Sequence, residues 1–257
     1  MSFIIIFFLI CRINMNKKLS IYTWGINESK DVADKFSQDM LETAKVHNVT
    51  TNYIGLGYKF TSQNGSHKQR IDIIKKFLDN VKDPDEILVF MDGGDTLFND
   101  NADTLLKKFL EKNTRILISG EKDFMWQYGG FKDKFNKIES NYRYVNAGVF
   151  MGYASSLLKM INEWIIIGKK YTSANDQCLL GIWTYKNMEN TELVKIDTNC
   201  DIFWTTSGGD YKKLENQKKY IINPYTKTRP VIIHCCGKSN RSINKKFYNA
   251  YNTIMNR

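Results

Sequence analysis

At 257 residues and 42% hydrophobic content, the chain is long enough for one large packed domain or two small ones. Lysine and arginine number 37 against 27 acidic residues, a formal charge of +10 that favours anionic partners. That surplus forms no long basic run interleaved with aromatics, which argues against a nucleic-acid tract, and five cysteines without a CxxC pair point to neither a disulfide framework nor a zinc site.

The first block, MSFIIIFFLICR, holds an apolar run from Phe3 to Cys11. It falls far short of the roughly 20 residues that span a bilayer, so no stable membrane span is expected. Its length matches a signal-peptide core, yet no positive charge precedes it and no small-residue cleavage site follows. Residues 1–14 therefore read either as a targeting remnant or as a mis-called start with Met15 as the first residue. Residues 15–257 contain no Pro/Gly/Ser-rich linker and no repeat, and read as a single domain.

From Leu19 onward strand-like and helix-like segments alternate. LSIYTW reads as a strand. Residues 29–46 place Val32, Phe36, Met40 and Ala44 on one face, with Ser29 as a cap, and predict one amphipathic helix. TNYIGLG predicts a strand and turn. Ile71, Ile74, Leu78 and Val81 predict a helix over 67–82, closed by Pro84 before the buried strand EILVFM. A helix over 103–112 leads to the strand TRILIS. In the second half VNAGVFMGY and VIIHC predict strands, and 153–167, 176–187 and 239–255 predict helices. Such alternation implies an α/β domain with a mostly parallel central sheet flanked by helices.

The stretch LVFMDGGDTLF, residues 88–98, raises a chemical question. Open α/β sheets bind ligands beyond the carboxyl ends of their strands, and ILVFM delivers Asp92 to such an edge. Gly93 and Gly94 predict a tight turn of unusual dihedrals, with room for a ligand against the backbone. Asp95 then returns beside Asp92. Two adjacent carboxylates repel unless one is protonated or a cation lies between them, and hard oxygen ligands suit Mn²⁺ or Mg²⁺. Taken alone, DGGD also fits a surface turn.

Of three histidines, His234 ends the apolar strand VIIH and is followed by CCGKSN. Gly237 allows close backbone approach and Lys238 can meet a phosphate as a point charge. By itself His234 also fits an ordinary hydrogen-bonded histidine, and Cys235 and Cys236 read as buried small residues.

NYIGLGYKF, HKQRIDIIKKFL, ILVFMDGGDTLF, LLKKFL, RILISGEKDFMW, YRYVNAGVFMGYA, NDQ and PVIIHCCGKSN occur in one order along the chain. In that order they resemble the glycosyltransferase domain of procollagen lysyl hydroxylases, here free-standing, from about Leu19 to the C-terminus. The resemblance implies a GT-A type glycosyltransferase fold and a Mn²⁺-dependent, retaining transfer of glucose from UDP-glucose to galactosylhydroxylysine of collagen or a collagen-like protein. It further implies Asp92, Asp95 and His234 as metal ligands. It sets Thr23, Phe60, Lys68, Asp92, Gly94, Asn146, Gly237 and Lys238 at the donor, and Trp126, Asn175 and Asp176 at the reacting sugar. Gly94 stands where the family has a tyrosine at the nucleotide, and Phe60 stands for a stacking tryptophan. Asp176 also fits a helix N-cap, Trp126 a core indole and Asn146 a turn asparagine.

Two other readings stay open: a UDP-sugar transferase with a different donor or acceptor, such as galactose to hydroxylysine, and a non-catalytic collagen- or carbohydrate-binding module. Iron- and oxoglutarate-dependent chemistry needs a His-x-Asp pair that the three histidines do not provide, so hydroxylation of the lysine falls to another enzyme. The family implies the endoplasmic reticulum lumen, and the cytoplasm follows if residues 1–14 are not a signal. Oligomeric state has no signature in the sequence.

Overall fold

The computed structural model describes residues 17–26, 29–58, 65–124, 129–206, 210–214, 220–236 and 241–255, with the side chains of 65–68, 129, 211, 241–245 and 254–255 excepted. Residues 1–14, and with them the targeting question, lie outside the described residues.

A six-stranded sheet forms the centre, in the order β2-β1-β3-β6-β5-β7. Its strands are β1 (Leu19–Trp24), β2 (Asn52–Ile54), β3 (Ile87–Met91), β5 (Ile116–Glu121), β6 (Tyr144–Tyr153) and β7 (Val194–Asp197). The β1–β2, β1–β3 and β5–β7 pairs are parallel, and β6 alone runs against its neighbours β3 and β5. The sheet is mostly parallel, as the alternation implies. A second sheet joins three short strands, β4 (Thr96–Phe98), β9 (Ile232–His234) and β8 (Phe203–Thr205); of these the sequence predicts only β9, within VIIHC.

Burial on both faces explains the unbroken apolar runs of β3 and β6, which are buried at every residue but Tyr153. Along β3 alternate side chains serve opposite layers. Leu88 and Phe90 pack with Ile71, Ile74, Leu157, Trp164 and Trp183, whereas Ile87, Val89 and Met91 pack with Met40, Leu105, Phe109 and Phe203. The first layer belongs to α3 (Gly65–Leu78), α6 (Ala154–Lys170) and α7 (Asp176–Asn187); the second includes α2 (Gln38–Val46) and α4 (Ala102–Glu111). A third cluster, with Trp204, Ile233, Phe247 and Tyr251, seats α8 (Arg241–Met255) on the small sheet.

The single helix expected over 29–46 is two, α1 (Lys30–Phe36) and α2, divided at Ser37. Ser29 makes no side-chain capping bond. Tertiary packing causes the division: Ser37 is fully buried with its hydroxyl against the 92–95 turn, which an uninterrupted helix does not require. Helix α3 ends at Leu78, ahead of Pro84, and α6 runs three residues past the expected 167. A short helix α5 (Asp133–Asn136) lies before β6. Among the described residues no helix is long and apolar enough to cross a membrane.

Candidate active site

Strand β3 releases the chain at Asp92, whose N–H donates to the Gly148 carbonyl of β6 at 2.8 Å. The turn feeds β4, and the Thr96 hydroxyl donates back to the Asp92 carbonyl. Antiparallel pairing of β4 with β9 sets Thr96 opposite His234, and the Cys235 N–H donates to the Asp95 carbonyl at 2.7 Å. Backbone bonds thus bring Asp95 beside His234. His234 Nε2 lies 3.4 Å from Asp95 Oδ1 and 3.9 Å from Asp92 Oδ2. One ligand atom from each of the three residues lies within 4.8 Å of the others.

The two glycines of the turn act through space rather than dihedral freedom. Neither takes a positive φ; among the described glycines only Gly55 and Gly57 do, at 82° and 81°. A Cβ on Gly93 would stand 2.4 Å from Ser37 Oγ and 2.5 Å from Thr23 Oγ1, and one on Gly94 would stand 2.5 Å from two atoms of the Phe36 ring. The chain's own side chains occupy the room expected for a ligand against these residues. Thr23 is buried beneath Gly93, and its hydroxyl lacks a hydrogen bond.

Burial pushes the Asp92 carboxyl above its ordinary range against the pull of Arg70, and Asp95 adds to the rise. Burial alone would lower the His234 imidazole, but the facing Asp95 and Asp92 carboxylates outweigh it and raise it to about 9. Asp92 Oδ1 is buried without a hydrogen bond. Two hard oxygen donors and one imidazole, with ligand atoms within 4.8 Å of one another, fit a divalent ion.

Arg70, on α3, is a site residue that the sequence reading missed. Its guanidinium donates to Asp176 Oδ2 at 2.9 Å, lies 3.3 Å from Asp92 Oδ1 and sits 4.6 Å from the centre of the Trp24 ring. It joins the Asp92, Asp95 and His234 cluster to Asp176, the residue implied at the sugar. Asp176 does not cap α7. Asn175 does, accepting the Cys178 N–H at 2.9 Å, because the cap residue must remain extended while Asp176 already lies in the first helical turn. Asp176 Oδ1 accepts the Gln177 N–H at 2.9 Å, so both of its oxygens are engaged.

Asn146, on β6, donates to Glu121 Oε2 at 3.2 Å and accepts the Gly148 N–H at 2.8 Å. Gln177 grips the same strand, accepting the Ala147 N–H at 2.7 Å and donating to the Val145 carbonyl at 2.5 Å. Glu121 is a second residue missed from sequence: its carboxyl is buried beside Asn146, and burial raises it to about 7. Cys235 is buried as expected, whereas Cys236 is half-buried with its thiol directed at Glu121 and Asn146, 3.9 and 3.8 Å away. A separate cleft of about 670 Å³ between β2 and α3, with Tyr53, Tyr58 and Lys76 in its wall, shares no residue with this site.

Phe60, Trp126, Gly237 and Lys238 lie outside the described residues, as does the side chain of Lys68 on α3.

The family model described as the PLOD GT domain matches residues 16–255. Human procollagen-lysine,2-oxoglutarate 5-dioxygenase 2 is 26% identical over 237 residues, covering 88% of this chain and 31% of that protein. The multifunctional procollagen lysine hydroxylase and glycosyltransferase LH3 of Pongo abelii is 25% identical over 214 residues, covering 79% and 28%. The chain spans about a third of the length of these relatives. Among solved structures, a glycosyltransferase involved in glycosylation of the major capsid of PBCV-1 superposes with a TM-score of 0.53 at 11% identity, covering 90% of this chain and 98% of that one. The architecture is accordingly that of a GT-A glycosyltransferase.

Proposed function

This chain belongs to the PLOD GT domain family, and we propose that it transfers a hexose from a UDP-sugar, glucose by family resemblance, to galactosylhydroxylysine of a collagen or collagen-like protein. The observation that carries this reading is the convergence of Asp92, Asp95 and His234 from two strand ends onto one point. Mn²⁺ held there would neutralise the diphosphate as UDP departs. Residues of the chain supply the rest. Asp92, beyond β3, and His234, ending β9, fix the position of the departing charge. Arg70 adds a positive group between Asp92 and Asp176 and orients both. Asp176 faces the sugar as positive charge develops on its ring.

Retention leaves two routes, a front-face attack assisted by the leaving phosphate and a covalent intermediate on a carboxylate. Engagement of both Asp176 oxygens, one by Arg70 and one by the Gln177 N–H, favours an electrostatic role for this residue over a nucleophilic one. Its acceptor would place the protein at work in the endoplasmic reticulum lumen.

Incubation with UDP-glucose and Mn²⁺ should release UDP slowly, with no release from Asp92→Ala; equal release by both proteins defeats the metal-site reading. Addition of a galactosylated hydroxylysine peptide should raise the peptide mass by one hexose. Transfer from UDP-galactose alone reassigns the donor, and collagen binding without turnover by the wild type makes the chain a binding module.

A further inference from the structure

Phe36 closes α1 and is the most exposed aromatic side chain among the described residues, at 55%. Its position is nevertheless fixed. The ring lies on Gly94, where a Cβ would fall 2.5 Å from two ring atoms. Ser37, the next residue, is fully buried with its hydroxyl against Gly93, and its N–H and carbonyl take part in the bonds that join α1 to α2. An apolar ring is thus clamped over the middle of the turn whose two ends carry Asp92 and Asp95, while much of its surface stays in water. Val32, one helical turn earlier and 49% exposed, extends the same apolar lip. Exposed apolar surface at the rim of a charged cluster suits a ligand that is anionic at one end and flat and aromatic at the other.

We propose that Phe36 is the stacking platform for the nucleobase of the donor, with Gly94 beneath the ring and the base above it. This rests on the reading of the site as a nucleotide-sugar site. The diphosphate meets the Asp92, Asp95 and His234 cluster, and the base reaches back over the turn to the ring. Every base offers a π-face, and stacking on an aromatic side chain is worth a factor of about 5 to 150 in affinity. Gly94 has a specific part in this arrangement, since any side chain there would push the ring from its seat.

Calorimetric titration of UDP and of inorganic pyrophosphate, each with Mn²⁺, into wild type, Phe36→Ala and Phe36→Tyr tests the assignment. UDP should bind Phe36→Ala about tenfold or more weakly, pyrophosphate should bind all three alike, and Phe36→Tyr should retain UDP affinity within about twofold. Equal UDP affinity in Phe36→Ala overturns the inference, as does a UDP affinity in the wild type no tighter than that for pyrophosphate. A parallel loss of both ligands would make the ring a structural prop of the turn, and a rise in acceptor KM alone would move it to the acceptor side. Wild-type protein that binds neither ligand defeats the nucleotide-sugar reading itself, and this inference with it.

Discussion

The imidazole of His234 occupies the space that any side chain at position 148 would need: a Cβ on Gly148 would stand 2.1 Å from Cε1 of the ring and 2.6 Å from Nε2. Strand β6 thus holds the histidine by omission, while its Gly148 carbonyl accepts the Asp92 N–H at 2.8 Å. One residue governs the seating of two candidate ligands.

Gly148→Ala should therefore displace the ring and spoil the cluster. Mn²⁺ affinity is expected to fall by about 10- to 100-fold, the range seen when the support of a metal ligand is removed. Overpacking should also destabilise the fold by about 1–3 kcal/mol. Adding His234→Ala should recover that stability without recovering Mn²⁺ binding, which separates the steric effect from the loss of a ligand. Paramagnetic relaxation by Mn²⁺ and urea unfolding report the two quantities. Unchanged metal affinity in Gly148→Ala would refute the placement of His234 in the site.

Arg70 makes a second prediction, because its removal takes a charged partner from a buried acid. The Asp176 side chain is only 8% exposed and Arg70 is its charged partner at 2.9 Å. Arg70→Ala is expected to lower stability by about 3 kcal/mol, the scale for breaking one side of a buried pair. Asp176→Asn leaves the guanidinium a neighbouring acid, Asp92 at 3.3 Å, and should cost much less in denaturant unfolding while turnover falls sharply. Loss of activity in Asp176→Asn without loss of UDP affinity would mark Asp176 as acting on the sugar rather than on the fold.

The sequence makes legible whatever one face of a regular element records. Ile71, Ile74 and Leu78 announce α3 through helical spacing, and the apolar run of β3 announces a strand buried on both faces. Asp92 and Asp95 draw notice because they follow an apolar strand, although the same DGGD read alone also fits a surface turn. His234 is legible because it ends a strand. Three- and four-residue strands such as β4, β7 and β8 are too short to show a period. Contacts between distant segments leave still less trace. Arg70 and Asp176 are separated by 106 residues, and nothing near either one names the other. The division of 29–46 at Ser37 and the purpose of Gly93 and Gly94 are one packing arrangement, in which Ser37 and Phe36 meet a turn far along the chain. A local reading assigns those glycines to turn dihedrals, whereas crowding is what requires them.

Glu121 supplies a pH dependence whose sign can be worked out. Burial raises its carboxyl from the ordinary 4.5 to about 7, so the folded chain holds this proton more tightly than the unfolded chain does. The folded state is therefore favoured most below about pH 4.5, and this contribution declines as the pH rises to about 7, beyond which it is constant. The whole change amounts to roughly 3 kcal/mol at 1.36 kcal/mol per pH unit. In Glu121→Gln the amide oxygen can still accept from Asn146 and no charge is buried, so the decline between these limits should disappear. Urea midpoints taken in EDTA at pH 5 and pH 8 should differ less for Glu121→Gln than for wild type, with the variant the more stable at pH 8. A wild type whose Glu121-dependent stability instead grows across this interval would mean that the carboxylate is held charged, and that a cation or donor group meets it at the end of β5.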